Sequence, residues 1–259
     1  MVDQPAEPAP ARGDMVARAL HLLVLLGDEP RGATLSDLAR RAGYPVSTTH
    51  RLLNSLAREQ FAVLDEQRRW GLGLRLFELG QRVLHARGFT EVVTPVLEAV
   101  SKRTGEPTLM SVLDGHDQLY VHYVEGVQQV QITGEPGRRG PLHCTSMGKC
   151  LVAFAPEQQR EQLLAELELP ACGPKTITDR AQFRAEIAQV RERGHALADE
   201  EHEPGILAVG VPVLNPGGTA VAALSSAAPS FRSSLDELRH CLPALHRAAT
   251  ELAVGLPRR

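Results

Sequence analysis

Four groups of residues in this sequence have types and spacings suited to chemistry. The first is "AGYPVSTTHRLLNSL" (42–56), in which Pro45 precedes Ser47, Thr48, Thr49, His50 and Arg51, with Ser55 one turn on. Serine and threonine hydroxyls donate or accept hydrogen bonds, and an arginine can grip a guanine edge with two bonds at once. The second is Ser146-Met147-Gly148-Lys149, an S-x-x-K pattern that would place a lysine one turn from a nucleophilic serine. Its usual companions, S-D-N and K-T-G, are missing, and a helix start beside an anion site accounts for it better. The third is a scatter of metal-capable residues, His143, Cys144, Cys150, His195 and His202, whose spacing fits no regular zinc pattern. The fourth, Asp199-Glu200-Glu201, has the composition of an acid/base cluster, but three adjacent acids point in different directions.

The elements that would position the first group follow from periodicity. Leu20 to Leu26, closed by Gly27-Asp28-Glu29-Pro30, predict a first helix from about Val16. Ala33-Thr34-Leu35-Ser36 opens a second, which Gly43 ends by supplying a positive backbone angle. Pro45 then starts a third helix reaching about Gln60, so residues 33–60 form a helix-turn-helix. On its wheel Val46, Thr49, Leu52, Leu53 and Leu56 share the packed face, and Ser47, Thr48, Arg51, Ser55 and Arg58 the open one. His50 falls between. In such a unit the N-terminal residues of the second helix meet base edges in the major groove. The plainer alternative is that Ser47, Thr48 and Thr49 cap the helix. "FAVLDEQRRWGLG" (61–73) alternates around Asp65-Glu66-Gln67-Arg68 as a hairpin does, making the module winged. Arg68 and Arg69 of the wing, with Arg40 and Arg41 before the turn, would then meet phosphates.

Beyond the wing, Leu76, Leu79, Val83 and Leu84 predict a linker helix over 74–88 that also meets a copy of itself. The remainder reads as helices over 92–103, 146–154, 156–167, 178–193 and 235–254. Strands are expected over 107–113, 118–125, 130–133, 196–199, 208–214 and 221–227. Separate runs of hairpins and helices make this an α+β domain on an antiparallel sheet.

Composition sets the bounds. The 259 residues carry a net charge of −3, with 23% charged and 4% aromatic residues, which describes an ordinary globular protein of one or two domains. The absence of a basic excess does not exclude DNA binding, because a small basic module can sit on a larger acidic domain. Four cysteines without C-x-x-C spacing read as reduced thiols in a cytoplasm. Residues 1–14 are too proline-rich and acidic for a signal peptide and are expected to be a disordered tail. No stretch is long and apolar enough to cross a bilayer.

The stretch "TLSDLARRAGYPVSTTHRLLNSLAREQFAVLDEQRRWGLGLRLFELG" resembles the N-terminal domain of the IclR-type bacterial transcriptional regulators. The likeness continues in "GPLHCTSMGKCLVAFAP" (140–156) and "RGHALADEEHEPGILAVGVPVLNPGGTAVAALSSAAPSFR" (193–232). It implies a winged helix-turn-helix domain (15–73), a linker helix (74–88) and a GAF-like effector domain (89–259), acting as a homodimer or homotetramer on a palindromic double-stranded DNA operator. The effector positions it implies are Ser146, Met147 and Gly148 at a helix start, Ala198, Asp199 and Ala208 on two strands, and Ser225 and Ala227 on the last. Free amides at the 146–154 helix start would hold a carboxylate. Members of the glyoxylate and pyruvate type carry polar groups where Ala198, Ala208 and Ala227 stand, so the departure implies a larger or less polar carboxylic acid, aromatic acids included. The alternative for each alanine is plain core packing. The expectation is thus a regulator, a repressor more than an activator, without cofactor or metal. Its rival is an enzyme or metal protein that uses the helix-turn-helix only to dimerise.

Overall fold

The computed structural model describes residues 14–86 and 92–255, so residues 1–13 of the expected tail and Gly88 lie outside the described residues, while Asp14, expected in the tail, belongs to the start of the first helix. The chain divides at Leu84/His85 into two compact units. In the first, α1 (Met15–Gly27), α2 (Leu35–Ala42) and α3 (Val46–Arg58) precede a two-stranded hairpin of β1 (Ala62–Leu64) and β2 (Trp70–Leu72). Asp14 caps α1 through its carboxylate, and Thr34 caps α2 by accepting from the Asp37 amide at 3.2 Å. Gly43, at φ 68, ends α2, a backbone angle that costs glycine nothing. Leu22, Leu26, Leu38, Leu52, Leu53 and Trp70 close the core of this unit. Trp70 also bonds Ala33 in both directions, tying the wing to the residues before α2. Val46, expected on the packed face, is 52% exposed. It stands in the first turn of the third helix.

α4 (Leu74–Ala86) follows, with Leu74, Phe77 and Val83 exposed. The second unit holds α5 (Thr94–Thr104), β3 (Thr108–Asp114), β4 (Asp117–Val124), β5 (Arg139–Pro141), α6 (Ser146–Ala153), α7 (Glu157–Glu166) and α8 (Arg180–Arg193). It continues with β6 (Ala196–Asp199), β7 (Ile206–Leu214), β8 (Ala220–Pro229), α9 (Leu235–Arg239) and α10 (Leu242–Gly255). Its sheet is antiparallel throughout, in the order β5-β4-β3-β8-β7-β6. α6 packs on β7 and β8 and against α8, while α5 and α10 pack together and on the same sheet. Strand alternation divides these partners. Leu109 and Ala223 belong to the core under α6, α7 and α8, and residues of the other parity, Val209, Val211 and Leu224, are buried on the opposite face.

Two expectations fail here. Val130–Thr133 is not a strand; the edge partner of β4 is Arg139–Pro141, in register Asp117↔Pro141 and Leu119↔Arg139. The 130–133 segment is held by other bonds: Gln131 Oε1 accepts from the Gly126 amide at 2.6 Å, and Ile132 O from the Tyr123 hydroxyl at 3.3 Å. Its apolar alternation serves a cavity rim, where Gln131, Ile132 and Thr133 all lie. Residues 235–254 are two helices, not one. In one continuous helix Pro243 would offer no N–H to the Arg239 carbonyl and its ring would clash with it, and the chain breaks at His240-Cys241 with Pro243 in the first turn of α10.

Candidate nucleic-acid interface and effector pocket

Capping does not explain the hydroxyl cluster of α3. The N-cap is Pro45, no side chain caps the helix, and the Thr49 hydroxyl instead donates back to Pro45 O at 3.2 Å. Thr49 is wholly buried, so the expectation that it reads bases is corrected: it is a core residue that satisfies its own hydroxyl. Ser47, His50 and Arg51 are exposed and Thr48 half-buried. Among the described residues the Arg51 guanidinium has no partner, and His50 meets Asn54 at 3.2 Å. Ser55 is engaged, donating to Arg51 O at 3.0 Å and accepting from Arg58 at 3.2 Å.

The basic residues separate in the same way. Arg40 pairs with Asp37 at 2.8 Å, and Arg41 with Asp28 and Glu29. Asp37 is held below the usual carboxylate range, first by the Thr34 hydroxyl and then by Arg40. Arg69 donates to Arg31 O and Gly32 O at 2.7–3.0 Å, which makes it a brace between the wing and the α2 approach. Arg68, at the hairpin tip with φ 58, is exposed and free of side-chain partners. The exposed Arg31, which periodicity did not single out, is brought beside the wing by that brace. Among the described residues expected to touch DNA, Arg51 and Arg68 are thus the arginines without a side-chain partner, with Arg31 nearby.

In the second unit a cavity of about 310 Å³ opens at the start of α6. Six of the eight expected effector positions line it: Ser146, Met147, Ala198, Ala208, Ser225 and Ala227. The sheet register explains why they converge. Ala198 stands opposite Ala208 and Ala208 opposite Ala227, so three alanines form one row across β6, β7 and β8. Gly210 stands opposite Ser225, and Ser225 opposite Leu109, in the next row. A Cβ on Gly210 would lie 2.9 Å from Ser146 C and 3.0 Å from its Oγ, so glycine there lets the helix start rest on the sheet.

The two remaining positions are corrections. Gly148 does not line the cavity; a Cβ there would lie 2.4 Å from Leu142 O, and its amide is spent on the Thr145 hydroxyl. Asp199 turns outward to Lys175 at 2.9 Å, because strand alternation puts it on the face opposite Ala198.

The α6 start is oriented from beneath. Thr145 caps it, and Gln118 Nε2 donates to Thr145 Oγ1 at 2.6 Å while Gln118 Oε1 accepts from Ser111 at 2.9 Å. The same Gln118 amide reaches the Tyr120 hydroxyl at 3.2 Å. Burial pushes the Tyr120 phenol up to about 12, so it remains a neutral donor facing the cavity. Ser146 and Met147 are the first two helical residues, whose amides no preceding carbonyl can take. One end of the cavity therefore offers backbone amides and hydroxyls, and its floor is apolar. Tyr120, His202, Ile206, Arg138 and Arg139 also line it and were not foreseen; Tyr120 was readable only as a strand residue. Arg138 is paired with Glu135 at 3.0 Å, and Arg139 with Asp114. Burial holds the His202 ring below its usual range, so it stays neutral.

The lysine of the S-x-x-K pattern is engaged by carboxylates. Lys149 Nζ is 2.7 Å from Glu201 Oε1 and 3.3 Å from Glu186 Oε1, so two of its three N–H donors are held by carboxylates.

Residues 15–66 match the family described as IclR helix-turn-helix domain, and residues 81–254 the family described as bacterial transcriptional regulator IclR C-terminal. The chain belongs to the IclR family of bacterial transcriptional regulators. As an IclR-family member it is a DNA-binding regulator of transcription. It is 32% identical over 240 residues to the HTH-type transcriptional regulator BhcR of Paracoccus denitrificans, covering 92% of this chain and 86% of BhcR. It is 29% identical over 252 residues to the transcriptional repressor IclR of Escherichia coli, covering 95% and 92% of the two. Among solved structures it resembles an IclR homologue from Microbacterium hydrocarbonoxydans complexed with 4-hydroxybenzoate. That likeness has a TM-score of 0.80 at 27% identity, over 93% of this chain and 98% of that one.

Proposed function

We propose that this IclR-family protein is a cytoplasmic, ligand-responsive repressor that binds a palindromic operator as a dimer or tetramer and is controlled by a small carboxylic acid, an aromatic one in particular. Ser47, Thr48 and Arg51 read base edges in the major groove, while Arg68 and Arg31 take phosphates. α4 is the linker between the two units. The observation that carries the effector reading is the Ala198–Ala208–Ala227 row beside the first turn of α6. An apolar slot with free amides at one end suits a flat apolar body bearing a carboxylate. The 4-hydroxybenzoate held by the Microbacterium homologue is an acid of that kind. Repression rests on the repressors among the relatives, IclR of Escherichia coli and the acetate operon repressor of Salmonella typhimurium.

The mechanism is a population shift: an acid that prefers one arrangement of the assembly changes operator affinity by its differential binding. Calorimetric titration with 4-hydroxybenzoate, benzoate, pyruvate and glyoxylate tests the pocket. Binding of the aromatic acids at least about tenfold tighter than the short ones, a difference of about 1.4 kcal/mol, is expected. Preference for pyruvate or glyoxylate would reject the aromatic assignment.

A further inference from the structure

His143, Cys144 and Cys172 offer ligand atoms that all lie within 4.8 Å of one another. No C-x-x-C or H-x-x-H spacing announces them, because Cys172 reaches the other two from the α7–α8 connection, 28 residues on. A tetrahedron of zinc–sulfur bonds has edges of about 3.8 Å, so closure takes side-chain shifts of about an ångström. We propose that these three side chains form a binding site for a soft divalent cation of the zinc class.

The ligand set suits that chemistry. Two thiols and an imidazole are donors that zinc accepts, leaving a fourth position for water or another ligand on the side where Cys172 is exposed. The Pro170 carbonyl accepts from His143 Nε2 at 2.9 Å and from Cys172 Sγ at 3.5 Å, so a single backbone atom gathers two of the three ligands.

The loop bearing Cys172 is pinned in advance. Thr176 Oγ1 accepts from the amides of Cys172 and Gly173, at 3.0 and 2.8 Å, and donates to Glu201 O at 2.5 Å. The Gly173 amide donates to the same carbonyl at 3.0 Å. Such preorganisation lowers the ordering cost of binding. On binding, both S–H bonds break, two metal–sulfur bonds form, and two protons pass to solvent. Cys144 also lines the effector cavity, so an occupied site fastens the 170–173 segment to the cavity wall.

The test uses full-length protein, reduced and stripped with a chelator, then titrated with Zn²⁺ and with Cd²⁺. The expected result is one ion per chain by native mass spectrometry, release of about two protons, and a cadmium–thiolate charge-transfer band. Cys172→Ser, at an exposed position, keeps the melting temperature of the metal-free protein and loses the band, with affinity reduced by at least about tenfold. His143→Gln weakens binding while retaining part of the band. Equal zinc uptake by wild type and Cys172→Ser would overturn the proposal. So would a loss of two hydrogens on exposure to air in a protein that takes up no zinc when reduced. No organic acid is present in these titrations, so their outcome is separate from that of the effector reading.

Discussion

Lys149 Nζ lies 2.7 Å from Glu201 Oε1, with the lysine side chain 1% exposed, and this pair joins the middle of α6 to the segment following β6. α6 and β6 with the segment after it also line the cavity at the α6 start, through Ser146 and Met147 on one side and Ala198 and His202 on the other. Desolvation raises the Glu201 carboxyl above its usual range, and Lys149 opposes that rise. Lys149→Met strands a buried carboxylate whose Oε2 already has no partner. A loss of about 3–5 kcal/mol in unfolding free energy is expected. Adding Glu201→Gln to Lys149→Met is expected to recover part of it, as measured by chemical denaturation. Equal stability of the single variant and wild type would show that the pair holds nothing together.

Gly210→Ala probes the contact between sheet and helix start. The added Cβ meets Ser146 backbone and hydroxyl at 2.9–3.0 Å, tighter than van der Waals contact, so α6 has to move. Calorimetry is expected to show weaker acid binding, with a stability cost of about 1–3 kcal/mol for overpacking. Unchanged acid affinity would place the ligand elsewhere than at the α6 start.

Acid stability follows from the histidines. Burial lowers His122, His143, His195, His202 and His246 below the ordinary value of 6.5. Each depressed group binds its proton more readily in the unfolded chain, so its contribution is fully present above 6.5 and is lost as pH falls through the folded values. The melting temperature is therefore expected to drop steadily as pH is lowered from 6.5. A flat profile from 7 down to 5 would contradict this account.

Much of the fold was readable from the sequence because local physics sets it. Gly43, Pro45 and the leucines of α3 place the helix-turn-helix, and β3, β4, β6, β7 and β8, which carry most of the cavity residues, were foreseen within a few residues, whereas β5 with Arg139 was not. What was not legible depended on partners far along the chain. Val130–Thr133 alternates like a strand, but β4 pairs with Arg139–Pro141 instead. Arg68 and Arg69 are adjacent and alike in sequence, yet Arg69 is bound to Arg31 O and Gly32 O while Arg68 is free. Asp199 and Ala198 are neighbours that a pleat sends to opposite faces. Tyr120 and Cys172 reach the cavity region through sheet order and loop packing, which spacing does not reveal.

The wing predicts a contrast between these two arginines. Arg68→Ala is expected to weaken operator binding evenly across sequences and to reduce the salt slope by about 1. Arg69→Ala is expected instead to lower the melting temperature of the N-terminal unit, since it removes three hydrogen bonds to backbone. An unchanged salt slope in Arg68→Ala would remove that residue from the phosphate contacts.

The central claim is that Arg51 on α3 reads operator DNA and that an acid in the α6 cavity governs that reading. Fluorescence anisotropy on a palindromic fragment, with wild type and Arg51→Ala and with and without saturating 4-hydroxybenzoate, tests it most directly. Arg51→Ala is expected to cost about 1–3 kcal/mol of specific binding. The acid is expected to shift wild-type affinity by a coupling of about 1–3 kcal/mol. Specific binding left intact in Arg51→Ala, or a wild-type affinity indifferent to every carboxylic acid the cavity takes up, would contradict the account.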